Sequence, residues 1–189
     1  MNKETLTKEV IQTYKKSPLA LIEGFWGLIP QPLLCKEEHP HIKKCYGDFI
    51  RGQHITWQQT QVLQGLEKAI RGDAPMRLSI RSGHGIGKDA LLAWLIHWFL
   101  FTRKHSQIGT TAPTSDQLFD VLWKEIAVWH RKILDPKIKE LFEWSTSYFR
   151  IVKSPNIWFA RARTARREAP EAFTGIHSEH VALIGDEAP

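Results

Sequence analysis

The chain has 189 residues, 42% hydrophobic and 11% aromatic, with a formal charge of +6 and a pI near 9.4. These values exclude a disordered chain and suit one ordinary domain with its own core, while the positive balance favours a polyanionic partner such as nucleic acid. The opening residues MNKETLTKEV lack the apolar core of a secretory signal, and the most apolar run, residues 90–101, contains His97 and is too short for a membrane span.

Residues 4–16 carry Leu6, Val10, Ile11 and Tyr14 at helical spacing, which predicts a short amphipathic helix. Ser17-Pro18 supplies an N-cap with proline in the first helical position, opening a second helix through about Trp26. Residues 27–55, rich in Pro, His and Lys, have no clear period and read as a long connection. Cys35 and Cys45 are too few for a disulfide framework, so a reducing, intracellular setting is the default. They bracket His39 and His41 as C-x3-H-x-H-x3-C, four donors of the kind zinc takes, at a spacing zinc sites do not usually use. Pro40 favours an extended loop, and on the sequence both a metal site and a plain loop stay open.

Thr56 caps a third helix over residues 57–71, which Gly72-Asp73 ends. The pattern then alternates: a strand at 77–81, a buried helix at 88–103, a strand at 106–111, and a long helix capped by Thr114 to about residue 133. Strands follow at 144–152 and 157–163, as a hairpin across Ser-Pro-Asn, and a last apolar strand at 181–185. This order predicts an α/β fold with a largely parallel sheet flanked by helices. It divides the chain into an N-terminal helical extension and linker, 1–55, and the α/β part, 56–189. The eight tryptophans, spread over most of these elements, are expected as core or interface anchors.

Between the strand at 77–81 and the next helix stand Ser82-Gly83-His84-Gly85-Ile86-Gly87-Lys88-Asp89. The phosphate-loop pattern is G-x-x-x-x-G-K-[ST] between a strand and a helix. Three glycines let backbone N–H groups turn inward around a polyphosphate, the helix start adds donors and dipole, and Lys88 adds charge for the β- and γ-phosphates. Ser82 replaces the first glycine, and Asp89 replaces the hydroxyl residue that normally touches Mg²⁺; its carboxylate suits that ion directly or through water. A dinucleotide fingerprint is the rival reading, but its third glycine would fall where Lys88 sits. A glycine-rich turn beside a chance lysine is the plain one.

The run VALIGDEAP ends an apolar strand in two acids. In a nucleotide hydrolase Asp186 would hold Mg²⁺ and Glu187 would orient or deprotonate the attacking water. Any strand ending in an acidic turn looks the same, so this signal gains weight only beside the phosphate loop. Gly185 stands where an apolar side chain is expected. In Thr-Trp-Gln-Gln at 56–59, a glutamine amide is suited to read adenine by paired donor and acceptor contacts.

Four blocks together, WQQTQVL, RSGHGIGKDALLAW, TTAPTSDQ and ARARTARREAPEAFTGIHSEHVALIGDEA, resemble the ATPase domain of the tailed-phage terminase large subunit over residues 17–189. The resemblance implies an ASCE-type P-loop NTPase fold and ATP-driven translocation of double-stranded DNA into a procapsid. It also implies a homo-oligomeric ring on the portal protein, a small terminase subunit as partner, and the cytoplasm of the infected bacterial host as location, with no membrane role. Carried over, Gln58 is the adenine contact, Lys88 the phosphate lysine, Asp186 the Mg²⁺ residue and Glu187 the catalytic base. His84 occupies a place where some members carry a loop arginine, so Arg163, Arg166 and Arg167 are the candidates for the arginine finger, possible donors to a neighbouring subunit's site; a solvated basic stretch is their plain reading.

The sequence stops two residues after Glu187. Further sheet strands and the acidic cluster of a nuclease domain are therefore absent from these residues, and a fragment or a truncated gene is expected. The alternatives are another DNA-translocating or helicase-like P-loop ATPase, and a non-catalytic nucleotide-binding remnant.

Overall fold

Local capping signals place the first helices of the computed structural model, which describes residues 8–34, 45–72, 78–80, 87–164 and 175–186. Helix α1 (Lys8–Lys16) is followed at once by α2 (Pro18–Trp26). The Ser17 side chain accepts from the Ala20 amide at 3.1 Å, and Gly27 closes α2 in the left-handed region at φ 68°, the conformation that glycine adopts without steric cost. The Ser17 hydroxyl also donates to a carboxylate oxygen of Glu67, tying the start of α2 to α3 (Trp57–Ile70). The core here is Leu21, Ile22, Phe25, Ile55, Leu63 and Leu66.

The stretch expected as a structureless connection contains two strands of two residues each. β1 (Ile29–Pro30) and β2 (His54–Ile55) pair in parallel, and Leu33 bridges to Tyr46 in antiparallel fashion. Strands that short carry no readable alternation. Tyr46 stacks on Trp57 with ring centroids 5.8 Å apart, holding the loop against the head of α3. Cys45 is buried and disulfide-bonded, which corrects the expectation of reduced cysteines and removes its sulfur from any zinc ligand set. Cys35, His39 and His41 lie outside the described residues.

By compactness the chain divides into Met1–Lys88 and Asp89–Pro189. The composition change at residue 55 falls within the first unit, where β2 runs through Thr56 directly into α3. Of the strand expected at 77–81, residues 78–80 are described and form no strand, with Leu78 48% exposed; residues 77 and 81 lie outside the described residues. A strand exists only by pairing, and alternation in the sequence does not supply the partner.

The second unit is a five-stranded sheet in the order β4-β5-β6-β3-β7, made of β3 (Gln107–Thr111), β4 (Phe142–Trp144), β5 (Tyr148–Ile151), β6 (Phe159–Ala162) and β7 (Val181–Gly185). β6, β3 and β7 are parallel, whereas β4 with β5 and β5 with β6 are antiparallel. The sheet is therefore mixed rather than largely parallel. The strand expected over 144–152 is two: Ser145 accepts from the Tyr148 amide through its hydroxyl and donates its own amide to the Tyr148 carbonyl, turning the chain between β4 and β5. The hairpin joining β5 to β6 is as expected.

One sheet face, carrying Phe149, Ile151, Ala160, Ala162, Ile108 and Thr110 by register, is buried. Helix α4 (Lys88–Thr102) packs there. Its His97 is fully buried, with ring centroids 4.6 Å from Phe149 and 5.6 Å from Phe142, and its Nδ1 donates to the Ala93 carbonyl at 2.7 Å. Burial pushes the imidazole down to about 3, with the neighbouring His130 charge adding to the effect. This histidine is neutral core material, and the helix that carries it is buried, as the apolar run predicts.

The helix capped by Thr114 is not α-helical throughout. Residues Gln117–Trp123 form a π-helical segment that runs into α5 (Lys124–Arg131). The Thr114 hydroxyl accepts from the Gln117 amide, and the widened turns bring Leu118, Leu122 and Trp123 all into the core. A short helix, α6 (Pro136–Lys139), capped by Asp135, leads to β4. Trp26, Trp94, Trp98 and Trp123 are buried and Trp57, Trp129, Trp144 and Trp158 half-buried, so tryptophan serves as packing in both units. Among the described residues no helix is long and apolar enough to cross a membrane.

On the opposite face and far edge, the packing ends at β7. Val181 is 42% and Leu183 65% exposed, and among the described residues β7 pairs only with β3.

Candidate functional site

Parallel strands deliver their C-terminal ends to one edge of a sheet, and in open α/β sheets that edge is where ligands bind. Here Thr110 pairs with Ala162, and Thr111 pairs with Gly185. The next residues of the flanking strands are Arg163 and Asp186. The Arg163 amide donates to the Thr110 carbonyl and the Asp186 amide to the Thr111 carbonyl, each at 2.9 Å. These bonds extend the ladder one residue past the regular strands and fix both backbones on either side of β3. Two strand spacings separate the two backbones, roughly 10 Å, and by the register Asp186 continues the face of Thr110 and Ala162 whereas Arg163 continues that of Thr111 and Gly185.

Asp186 is only 6% exposed, and Arg163 is exposed. Residues 103–106 link α4 directly to β3, so α4 runs antiparallel to that strand. Its first turn, with half-buried Asp89, therefore lies toward the same end of the sheet. Carboxylates and hydroxyls gathered at such an edge are the hard oxygen donors that Mg²⁺ takes, usually together with phosphate oxygens and water. Among the described residues no three His, Cys, Asp or Glu side chains cluster closely enough to hold a metal by themselves. At Gly185, an added Cβ would meet only the Thr111 methyl, at 4.0 Å; the structure leaves room for the apolar side chain that the sequence lacks.

The glycine-rich segment is described at its last two positions before Asp89. Gly87 has φ 78°, and Lys88 opens α4. A left-handed glycine followed by a right-handed helical residue turns successive N–H groups to one side, a concavity suited to anions, and a helix start adds its unsatisfied N–H groups and dipole. Ser82, Gly83, His84, Gly85 and Ile86 lie outside the described residues, as do Glu187, Arg166 and Arg167. Of the three candidate arginines, Arg163 alone is described, and it stands at the strand ends.

Gln58, the expected adenine contact, is half-buried on α3. The residue engaged with the glycine-rich segment is its neighbour: Gln59 is 7% exposed and its Nε2 donates to the Gly87 carbonyl at 2.8 Å. The signal that identifies it was the pair Thr56-x-x-Gln59, a capping-box pattern.

Over 149 residues the chain is 25% identical to a protein named as a probable terminase large subunit, from Enterobacteria phage P7. The match covers 75% of this chain and 28% of that protein, so the chain corresponds to a minor part of its relative's length. No family model matches the chain, and no solved structure matches it.

Proposed function

We propose that the chain is the ATP-binding and hydrolysing portion of a phage terminase large subunit, the motor that packages double-stranded DNA into a procapsid. The observation that carries the reading is the pair of ladder bonds fixing Asp186 and Arg163 on either side of β3 at the C-terminal edge of parallel strands. The distant likeness to the phage P7 protein supports it independently.

In this reading the glycine-rich loop, residues 82–89, cradles the phosphates with backbone N–H groups, and Lys88 sets its charge against the β- and γ-phosphates. Asp186, with Asp89 beside the helix start, holds the Mg²⁺ that neutralises charge on those phosphates. Glu187 takes the proton of the attacking water or orients it, and Arg163 meets charge that develops in the transition state. Gln58 reads the adenine edge. The P-loop identity of the fold, the ring of subunits, the portal and small-subunit partners and the host-cytoplasm location belong to the same proposal. The net charge of +6 suits the DNA it would move.

Mg²⁺-dependent release of phosphate from ATP tests the reading. Lys88→Ala and Glu187→Gln are each expected to lower turnover by about 100-fold or more, and Arg163→Ala by a smaller but clear factor. Asp89→Thr should leave turnover largely intact if the carboxylate merely replaces the usual hydroxyl. No hydrolysis, or hydrolysis indifferent to Lys88→Ala, rejects it.

A further inference from the structure

Gln59 has every polar atom of its side chain directed. Its Oε1 accepts from the Thr56 amide at 3.0 Å and lies 3.1 Å from the Thr56 hydroxyl, which in turn accepts from the Gln59 amide at 3.3 Å. This capping box fixes which end of the amide is oxygen, so the Nε2 end faces the Gly87 carbonyl. The fit is close, because a Cβ added to Gly87 would lie 2.6 Å from that Nε2.

The bond acts on the peptide unit that joins Gly87 to Lys88. A trans peptide holds its C=O and N–H on opposite sides, and among the described residues no peptide is cis. Holding the Gly87 carbonyl toward α3 therefore turns the Lys88 N–H away from α3. As the first residue of α4, Lys88 has no carbonyl within the helix to receive that N–H. We infer that Gln59 is a positioning residue for anion binding, which aims the Lys88 amide at a phosphate by clamping the carbonyl on the other side of the same peptide. It acts on the polyphosphate and is indifferent to the base, in contrast to the role proposed for Gln58. The inference rests on the reading of residues 82–89 as a phosphate loop.

Gln59→Glu separates clamping from capping. Glutamate keeps the oxygen that caps Thr56 and suits a helix start, but it sets an acceptor against the Gly87 carbonyl. The affinities of the whole chain for ATP, GTP and inorganic tripolyphosphate are measured with Mg²⁺ at low and at 1 M salt, alongside Tm. The expected result is a cooperative thermal transition that is retained, lowered by the loss of one buried hydrogen bond, and an affinity loss of about tenfold. The loss is equal for all three ligands and persists at 1 M salt, where simple charge repulsion is screened. In the unliganded protein the Lys88 amide resonance should also move. Wild-type affinity for tripolyphosphate in Gln59→Glu overturns the inference, as does a loss confined to ATP or one that vanishes at 1 M salt. If the unsubstituted chain binds none of the three ligands, the phosphate-loop reading itself falls and this inference with it.

Discussion

Asp186 and Lys88 are held by opposite means. The backbone at Asp186 is the last rung of a parallel ladder that joins β7 to β3 and, through β3, to β6. Next to β6, on β4, β5 and the helices packed on them, stands an aromatic core of Phe142, Phe149, His97 and His130. Among the described residues, the peptide before Lys88 is instead held by one side-chain amide and one glycine in the left-handed region. A ladder shares its load over many bonds, so removing one side chain leaves the backbone in place. A single clamp has no such reserve. The acidic end should therefore fail only with the whole sheet, whereas the loop end should fail alone.

The largest effect is expected from attacking the aromatic core. Phe149→Ala removes a fully buried ring that contacts Phe142, His97 and His130, at a cost of about 3–5 kcal/mol. Chemical denaturation should show one cooperative loss of the sheet; a mild, local change would break the contrast. Acid attacks the same place. His97 is neutral in the folded chain, with its pKa lowered from 6.5 to about 3, so below pH 6.5 the unfolded chain binds a proton that the folded chain refuses. Stability from this residue is complete above pH 6.5 and falls as pH drops toward 3, by about 3 kcal/mol at pH 4. In His97→Leu the slope of Tm against pH over that window should flatten; an unchanged slope would move the acid sensitivity elsewhere.

Gly87→Ala probes the clamp. It places a Cβ 2.6 Å from Gln59 Nε2 at φ 78°, a strain of about 1–3 kcal/mol. The expected readout is lost polyphosphate affinity with the near-ultraviolet signal of the sheet-side tryptophans intact. The smallest structural effect belongs to Asp186→Asn. Its ladder bond uses the backbone amide, so the sheet should keep its fold, while the gain in ATP affinity on adding Mg²⁺ disappears. A large drop in Tm instead would make that carboxylate structural.

What was legible in the sequence was local. Ser17-Pro18 and Thr56-Trp57 mark helix starts because a cap and its first turn are neighbours in the chain, and β7 was bounded by its own apolar run and the acids after it. What failed was pairing. Residues 144–152 look like one strand because the turn at 145–147 is made by serine hydrogen bonds and carries no glycine or proline. The parallel half of the sheet depends on contacts far apart in sequence, residues 107–111 with 159–162 and with 181–185. The π-helical turns keep the same apolar spacing that an α-helix would show over so short a stretch. Gln58 and Gln59 differ by about 100° around one helix, and only the capping geometry decides which of them meets Gly87.

Among the described residues β7 is the edge of the sheet, and this has a consequence for solvent exchange. In a parallel pair, alternate residues turn both backbone groups to the same neighbour. The His180 carbonyl and the Asp186 amide face β3, so Ala182 and Ile184 do as well, and Val181, Leu183 and Gly185 turn theirs outward. Deuterium uptake along this strand should thus alternate residue by residue, fast at 181, 183 and 185 and slow at 182, 184 and 186. Any chain that came to lie along that edge would erase the alternation by slowing the odd-numbered amides alone, so three amide signals become a direct counter of whether the edge is covered.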